Sequence, residues 1–180
     1  SVCAVALTQG SGGAVEVRSY REVTIAPTEV AALFDLTGAP ASTGELQWVA
    51  PSGWSELSGD GFRLARFGLP NGGETTIVTL DGSAGGAEAN VRRWLSQLGL
   101  EPSAGRVSEV IANALQLRAS LEFTVFDFAP YTLGPKATSF LVAIAYVGDM
   151  TVFVKAEAAV EELRAQREPF LALLQSLSTE

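Results

Sequence analysis

The longest uninterrupted apolar run in the chain, Phe140 to Val147, constrains the fold more than any other segment. It falls far below the roughly 20 residues that a membrane-crossing helix needs. With no polar alternation it has no solvent face, so it fits a central strand covered on both sides. Gly148-Asp149 follows as a tight turn, and Thr151 to Lys155 reads as the next strand.

The remaining strands are shorter. Leu46 to Val49 precedes the turn Pro51-Ser52-Gly53, and Ser58-Gly59-Asp60-Gly61 is another turn. Phe62 to Phe67 and Glu74 to Leu80 flank Asn71-Gly72-Gly73. That connection is too short for a crossover, so the pair is an antiparallel hairpin. Leu115 to Leu117 and Leu121 to Phe128 read as further strands, and Tyr131 to Ala137 as a loop.

Helical spacing is clearest over Gly86 to Leu98, where Ala87, Val91, Trp94, Leu95 and Leu98 share one face. Gly99 stands where a left-handed C-cap belongs, and Leu100 can make the apolar contact that follows it. Ser108 is placed to cap a short helix over Glu109 to Asn113. At the C-terminal end Val160, Leu163, Phe170, Leu174 and Leu177 form a stripe, with the Arg167 stem filling its gap. Pro169 interrupts it, and a proline inside a helix costs about 3 kcal/mol. The pattern therefore predicts a break or kink near Arg167-Glu168.

Together these segments predict one α+β domain over residues 45–180, preceded by an N-terminal portion over 1–44. In that portion Gly10 to Gly13 is a joint, Val15 to Ile25 is one or two strands, and Pro27 to Thr43 is a surface segment with a helical turn near Glu29 to Phe34. Val2 to Leu7 fits either the tail of a trimmed export signal or membrane anchor, or an ordinary strand. A lipid-bearing cysteine follows a small residue, whereas Val2 precedes Cys3.

Composition removes whole classes of mechanism. Among 180 residues there is no histidine and one cysteine. Neutral-pH acid/base catalysis relies on imidazole more than on any other side chain. Ser-His-Asp and Cys-His sites are impossible without it, as are imidazole-based zinc or copper sites. No catalytic residue, metal ligand or cofactor is expected. The net charge is −8, and only Arg92-Arg93 are adjacent arginines. A nucleic-acid partner calls for a positive stripe, so none is expected.

Several segments invite a functional reading beside a structural one. Asp81-Gly82-Ser83-Ala84-Gly85-Gly86 links a strand to a helix. It lacks the Gly-Lys-Ser/Thr of a phosphate loop, the upstream glycine of a nucleophile elbow and the parallel βαβ setting of a dinucleotide fingerprint. It is a permissive turn, or else Gly85 and Gly86 open an anion site on the helix N–H groups. Asn90, Arg93 and Gln97 form a polar ridge beside the apolar face, either solvated or fixing the helix to the sheet or a partner. Trp48 and Trp54 bracket a turn and either cover a sheet edge or stack on a ligand. Asp127, an acid in an apolar strand, implies edge placement or a partner such as Arg63 or Arg66.

The order of these pieces resembles bacterial proteins of the PsbP-like class. Leu46-Gln47-Trp48…Pro51…Gly53-Trp54, Phe62 to Phe67, and Gly85-Gly86…Ala89-Asn90-Val91…Arg93-Trp94…Gln97 to Leu100 carry the likeness. Thr151 to Lys155 and Phe170…Leu174…Ser176-Leu177 extend it. It covers about Leu46 to Leu177, with Asn-Val-x-Arg-Trp its most specific part. The fold is shared with a Ran-binding nuclear import factor. The resemblance implies an α/β/α sandwich whose mostly antiparallel sheet has about six strands. It implies no enzymatic activity, a protein partner as the shared theme, and a periplasmic or cell-envelope setting as for exported or lipid-anchored bacterial members. The metal-binding set of the plant proteins has no counterpart here.

Overall fold

The computed structural model describes residues 46–58 and 63–179. The expectations for the N-terminal portion, including Cys3, and for Asp60 and Phe62 lie outside the described residues.

Among the described residues nine strands form: β1 (Leu46–Gln47), β2 (Ser55–Leu57), β3 (Arg63–Gly68), β4 (Glu74–Asp81), β5 (Leu115–Arg118), β6 (Glu122–Asp127), β7 (Thr138–Val147), β8 (Met150–Ala159) and β9 (Ser178–Thr179). The helices are α1 (Gly86–Gln97), α2 (Ala104–Ala112), α3 (Val160–Ala165) and α4 (Arg167–Ser176). Seven strands build one sheet in the order β2-β3-β4-β8-β7-β6-β5, and β1 pairs with β9 apart from it. Every pairing is antiparallel.

The apolar run lies in β7 near the centre of the sheet, between β8 and β6. Its alternate residues serve two cores. Leu141, Ala143 and Ala145 join Phe67, Ile77, Phe123, Val152 and Val154 beneath Leu163, Phe170, Leu173 and Leu174 of α3 and α4. Phe140, Val142 and Ile144 join Val78, Phe126 and Phe153 beneath Val91, Trp94 and Leu95 of α1 and Val107 and Val110 of α2. The result is an α+β, α/β/α sandwich. Trp94 is its second-layer keystone, with ring centroids 5.9 Å from Phe126 and Phe128 and 6.4 Å from Phe153. Each fully buried side chain of this size contributes roughly 1.5–3 kcal/mol.

Helix ends follow local chemistry. Leu100 N donates to Leu95 O at 2.8 Å and Gly99 N to Ser96 O at 3.0 Å, the paired bonds of a Schellman stop. The expected break in the C-terminal helix falls at Gln166. Pro169 is then the third residue of α4, where its missing N–H would have had no helical acceptor.

Three expectations are corrected. The helix expected over Glu109 to Asn113 begins earlier, at Ala104, because Ser103 rather than Ser108 caps it by accepting from Arg106 N. β8 continues past Lys155 to Ala159. The sheet of seven strands agrees with the expected mostly antiparallel sheet of about six, and it includes β2, whose three residues are all exposed. Asp127 ends β6 beyond the last β5 pairing, at Val125, and neither Arg63 nor Arg66 is its partner: its carboxylate accepts from Ala129 N at 2.9 Å and faces Arg167 Nε at 3.9 Å.

Candidate functional site

Alternation along β3, β4 and β8 sorts their side chains between the two faces of the sheet. On the α1 face, Thr76 stands between Arg66 and Lys155, and Glu74 between Gly68 and Glu157. A register shift between Arg63 and Ala65 turns Arg63 onto the same face, opposite Val78. The bulge thereby places two arginines of one strand on one surface, with Leu64 as the extra residue.

The α1–α2 layer is centred on Trp94 over β6, β7 and β8, so the β3–β4 side of this face is less deeply covered. There the chain gathers a polar strip. Arg66 pairs with Glu74, with Nη2 to Oε2 at 2.6 Å and Nε to Oε1 at 3.2 Å. Lys155 Nζ lies 3.1 Å from Glu157 Oε2 and 3.7 Å from the Phe140 ring centroid. Glu74 and Glu157 are directly opposite across the strands, and each is compensated by its own cation. Arg63 and Arg93 then add two more guanidinium groups, both half-buried.

The electrostatic effect is visible on Lys155. Burial pushes its ammonium below the ordinary 10.5; Glu157 opposes that shift, and the positive charges of Arg93 and Arg63 add to it. Burial lowers Arg93 to about 10. Like charges held together in a partly desolvated place disfavour one another's ionised forms.

Arg93 is positioned from the start of α1. Its Nη2 donates to Asn90 Oδ1, and its guanidinium lies 5.9 Å from the Trp94 ring centroid. Asn90 is 1% exposed. Its amide nitrogen donates to Gly86 O at 2.6 Å and Ala84 O at 3.0 Å. The turn it braces has positive φ at Gly82, Ala84, Gly85 and Gly86, at 70°, 46°, 84° and 74°. Thr151 Oγ1 adds a bond to Gly82 O at 2.6 Å.

Four of the seven residues singled out from the sequence, Gly85, Gly86, Asn90 and Arg93, therefore form one connected unit. The Asn90 side chain ties the helix to the turn before it rather than to the sheet. At the Gly-rich turn, Gly86 N donates to Ser83 O at 3.0 Å, and Glu88 supplies the acidic group of the first helical turn. Gln97 is exposed at the far end of α1. Trp48 and Trp54 belong to the other core, on the α3–α4 side. Trp54 is buried, with its Nε1 donating to Gln166 Oε1 at 2.8 Å. That contact fits a cover over the sheet rather than a ligand-stacking platform.

Lys155, Arg63, Arg66, Glu74 and Glu157 were not foreseen as a group. The available signal was Lys155 itself, a lysine following the apolar Val152-Phe153-Val154. Among the described residues, no three of His, Cys, Asp and Glu are grouped to hold a metal ion. No described helix is long and apolar enough to cross a membrane.

Architecture and site define an antiparallel α/β/α sandwich with a half-buried basic strip between its first helix and one side of the sheet. No family model and no curated protein matches the chain. Among solved structures, cyanobacterial PsbP (CyanoP) from Synechocystis sp. PCC 6803 is similar over 81% of this chain and 99% of its own, at 10% identity and a TM-score of 0.45. A protein from Bacteroides thetaiotaomicron VPI-5482 is similar over 75% of this chain, at 11% identity and a TM-score of 0.47, and the chain spans 45% of its length.

Proposed function

We propose that this domain is a non-enzymatic binding module and that it contacts another protein through the strip formed by Arg63, Arg66, Arg93 and Lys155. The observation that carries this reading is the crowding of cations on one sheet face of a chain with net charge −8. Holding Lys155 beside two arginines away from water opposes folding, and such arrangements concentrate at functional surfaces. Arginine is also among the residues that dominate protein interfaces. Leu57, exposed and directly across from Arg66 in β2, supplies an apolar rim. The absence of histidine from the chain supports binding rather than catalysis.

The test is capture of partners from the source cell by the full chain and by an Arg63→Glu, Arg93→Glu chain. A protein retained by the first and lost by the second is the expected result. Equal retention would remove the strip from the contact. The exported or membrane-anchored setting rests on the sequence resemblance alone, and fractionation of the source cells tests it. Purely cytosolic protein would refute that setting.

A further inference from the structure

We infer that Asn71 is a site of spontaneous deamidation, and that its conversion to aspartate or isoaspartate releases the β3–β4 turn from α3. None of the turn's residues belongs to the contact surface proposed above.

The chemistry starts from the sequence. The chain has three asparagines, Asn71, Asn90 and Asn113, and they are followed by Gly72, Val91 and Ala114. In deamidation the backbone nitrogen of the following residue attacks the asparagine Cγ. An N–Cγ bond forms, the Cγ–Nδ2 bond breaks, and the proton of the attacking nitrogen leaves with the amide as ammonia. Water then opens the cyclic imide at either carbonyl, giving aspartate or isoaspartate. A side chain on the attacking residue crowds this approach, and glycine has none. Val91 is β-branched, and Asn90 is buried with its amide held by two carbonyls. The Asn113 amide is anchored by donating to Tyr131 Oη at 3.0 Å.

At the β3–β4 turn Asn71 and Gly72 are both exposed. Gly72 has φ 98°, and no other heavy atom of the described residues lies within 4 Å of where its Cβ would stand. Two contacts restrain the reaction. Gly72 N donates to Leu69 O at 3.1 Å, and Asn71 Nδ2 donates to Glu162 Oε2 at 2.7 Å. Attack requires both to loosen, so its rate follows local opening of the turn.

The product undoes the restraint. Glu162 lies in α3 and is 3% exposed. Its carboxylate accepts from the Asn71 side chain at 2.7 Å and from Asn71 N at 3.3 Å, tying hairpin to helix. Deamidation puts an anionic oxygen where the donating amide stood. Two carboxylates then face each other in place of a charge-assisted hydrogen bond. Isoaspartate also lengthens the backbone by one carbon. The seat of the turn has no slack, because a Cβ on Gly73 would collide with Ala158 Cβ and Glu157 O of β8. A turn pushed away from Glu162 therefore also breaks its contact with β8.

The experiment incubates the full chain in mildly alkaline buffer at physiological temperature. Mass spectrometry, with fragmentation that separates aspartate from isoaspartate, follows all three asparagines. The expected result is conversion at Asn71 ahead of Asn90 and Asn113, with isoaspartate the major product. Glu162→Ala should speed it roughly tenfold, the effect of losing a hydrogen bond to a charged group. The deamidated chain, separated by anion exchange, should melt roughly 3–5 °C below the parent. Asn71→Asp should show a similar loss, and adding Glu162→Gln should recover most of it, since the glutamine amide donates where the asparagine did. That exchange keeps the test valid if Glu162→Ala disturbs α3. Conversion at Asn71 that is absent, or no faster than at Asn113, would overturn the site. An unchanged rate in Glu162→Ala, a deamidated chain that melts with the parent, or a loss that Glu162→Gln leaves in place would overturn the tie to Glu162.

Discussion

Asn90 accepts a hydrogen bond from Arg93 with its side-chain oxygen while its amide nitrogen holds the carbonyls of Gly86 and Ala84. One buried side chain thus joins a left-handed turn, the first turn of α1 and the basic strip. The Asn-Val-x-Arg-Trp segment gains a physical meaning from this: Asn90 sets the turn, Val91 and Trp94 bind the helix to the sheet, and Arg93 is aimed at the strip.

That relationship gives a first prediction. Asn90→Asp removes both amide donors and places a carboxylate against two carbonyl oxygens, while keeping an acceptor for Arg93. A buried acceptor facing acceptors costs about 1–3 kcal/mol or more when charged. The variant should lose roughly 2–3 kcal/mol in urea denaturation. Asn90→Ala, which leaves carbonyls rather than a charge unsatisfied, should lose less. Equal stability of Asn90→Asp and the parent chain would show that the amide bonds do not brace the turn.

Lys155 predicts a gain. Its positive charge is disfavoured by burial and by Arg93 and Arg63, and favoured by Glu157. Lys155→Met keeps the stem packed on Phe140 and leaves Glu157 half exposed rather than stranded. Replacing such a pair by an apolar side chain is neutral to stabilising, so about 1 kcal/mol of added stability is expected at pH 7. The folded pKa lies below the unfolded value of 10.5. Between the two the unfolded chain holds more protons, so the parent's stability rises with pH. The advantage of Lys155→Met should accordingly be full at neutral pH and shrink as pH approaches 10.5. Denaturation midpoints of the two chains across that window measure it.

Thr75 offers a third. It is fully buried on the α3–α4 face, between Phe67 and Ala156, and its Oγ1 has no hydrogen-bond partner among the described residues. Thr75→Val removes a desolvated hydroxyl at nearly constant volume and should stabilise the chain by roughly 1 kcal/mol. Thermal unfolding would register this as a higher midpoint. A lower one would mean that the hydroxyl is satisfied in solution.

How far these features were legible in the sequence follows from how each residue signals. The α1 stripe and the β7 run consist of large apolar residues at regular spacing, so periodicity exposed them. Lys155 escaped because a strand read as Thr151 to Lys155 puts it at an end, where charge is ordinary. The strand continues through Ala156 and Ala158, which lie on the α3–α4 face with Thr75 but are too small to carry a periodic signal. With the true end at Ala159, Lys155 becomes a mid-strand lysine on a covered face. β2 was invisible for the opposite reason: Ser55, Glu56 and Leu57 are all exposed, and only pairing with β3 makes them a strand. The partners of Arg63 and Arg66 depend on a bulge and a hairpin register, which no local pattern encodes.

The most direct test of the strip as the contact surface is photo-crosslinking in the source cell from a benzophenone side chain at Leu57, on the strip's rim, and at Gln175, exposed on α4. The prediction is a protein adduct from Leu57 alone, lost in the Arg63→Glu, Arg93→Glu chain. An adduct from Gln175 alone, or one from Leu57 that persists in the charge-reversed chain, would contradict it.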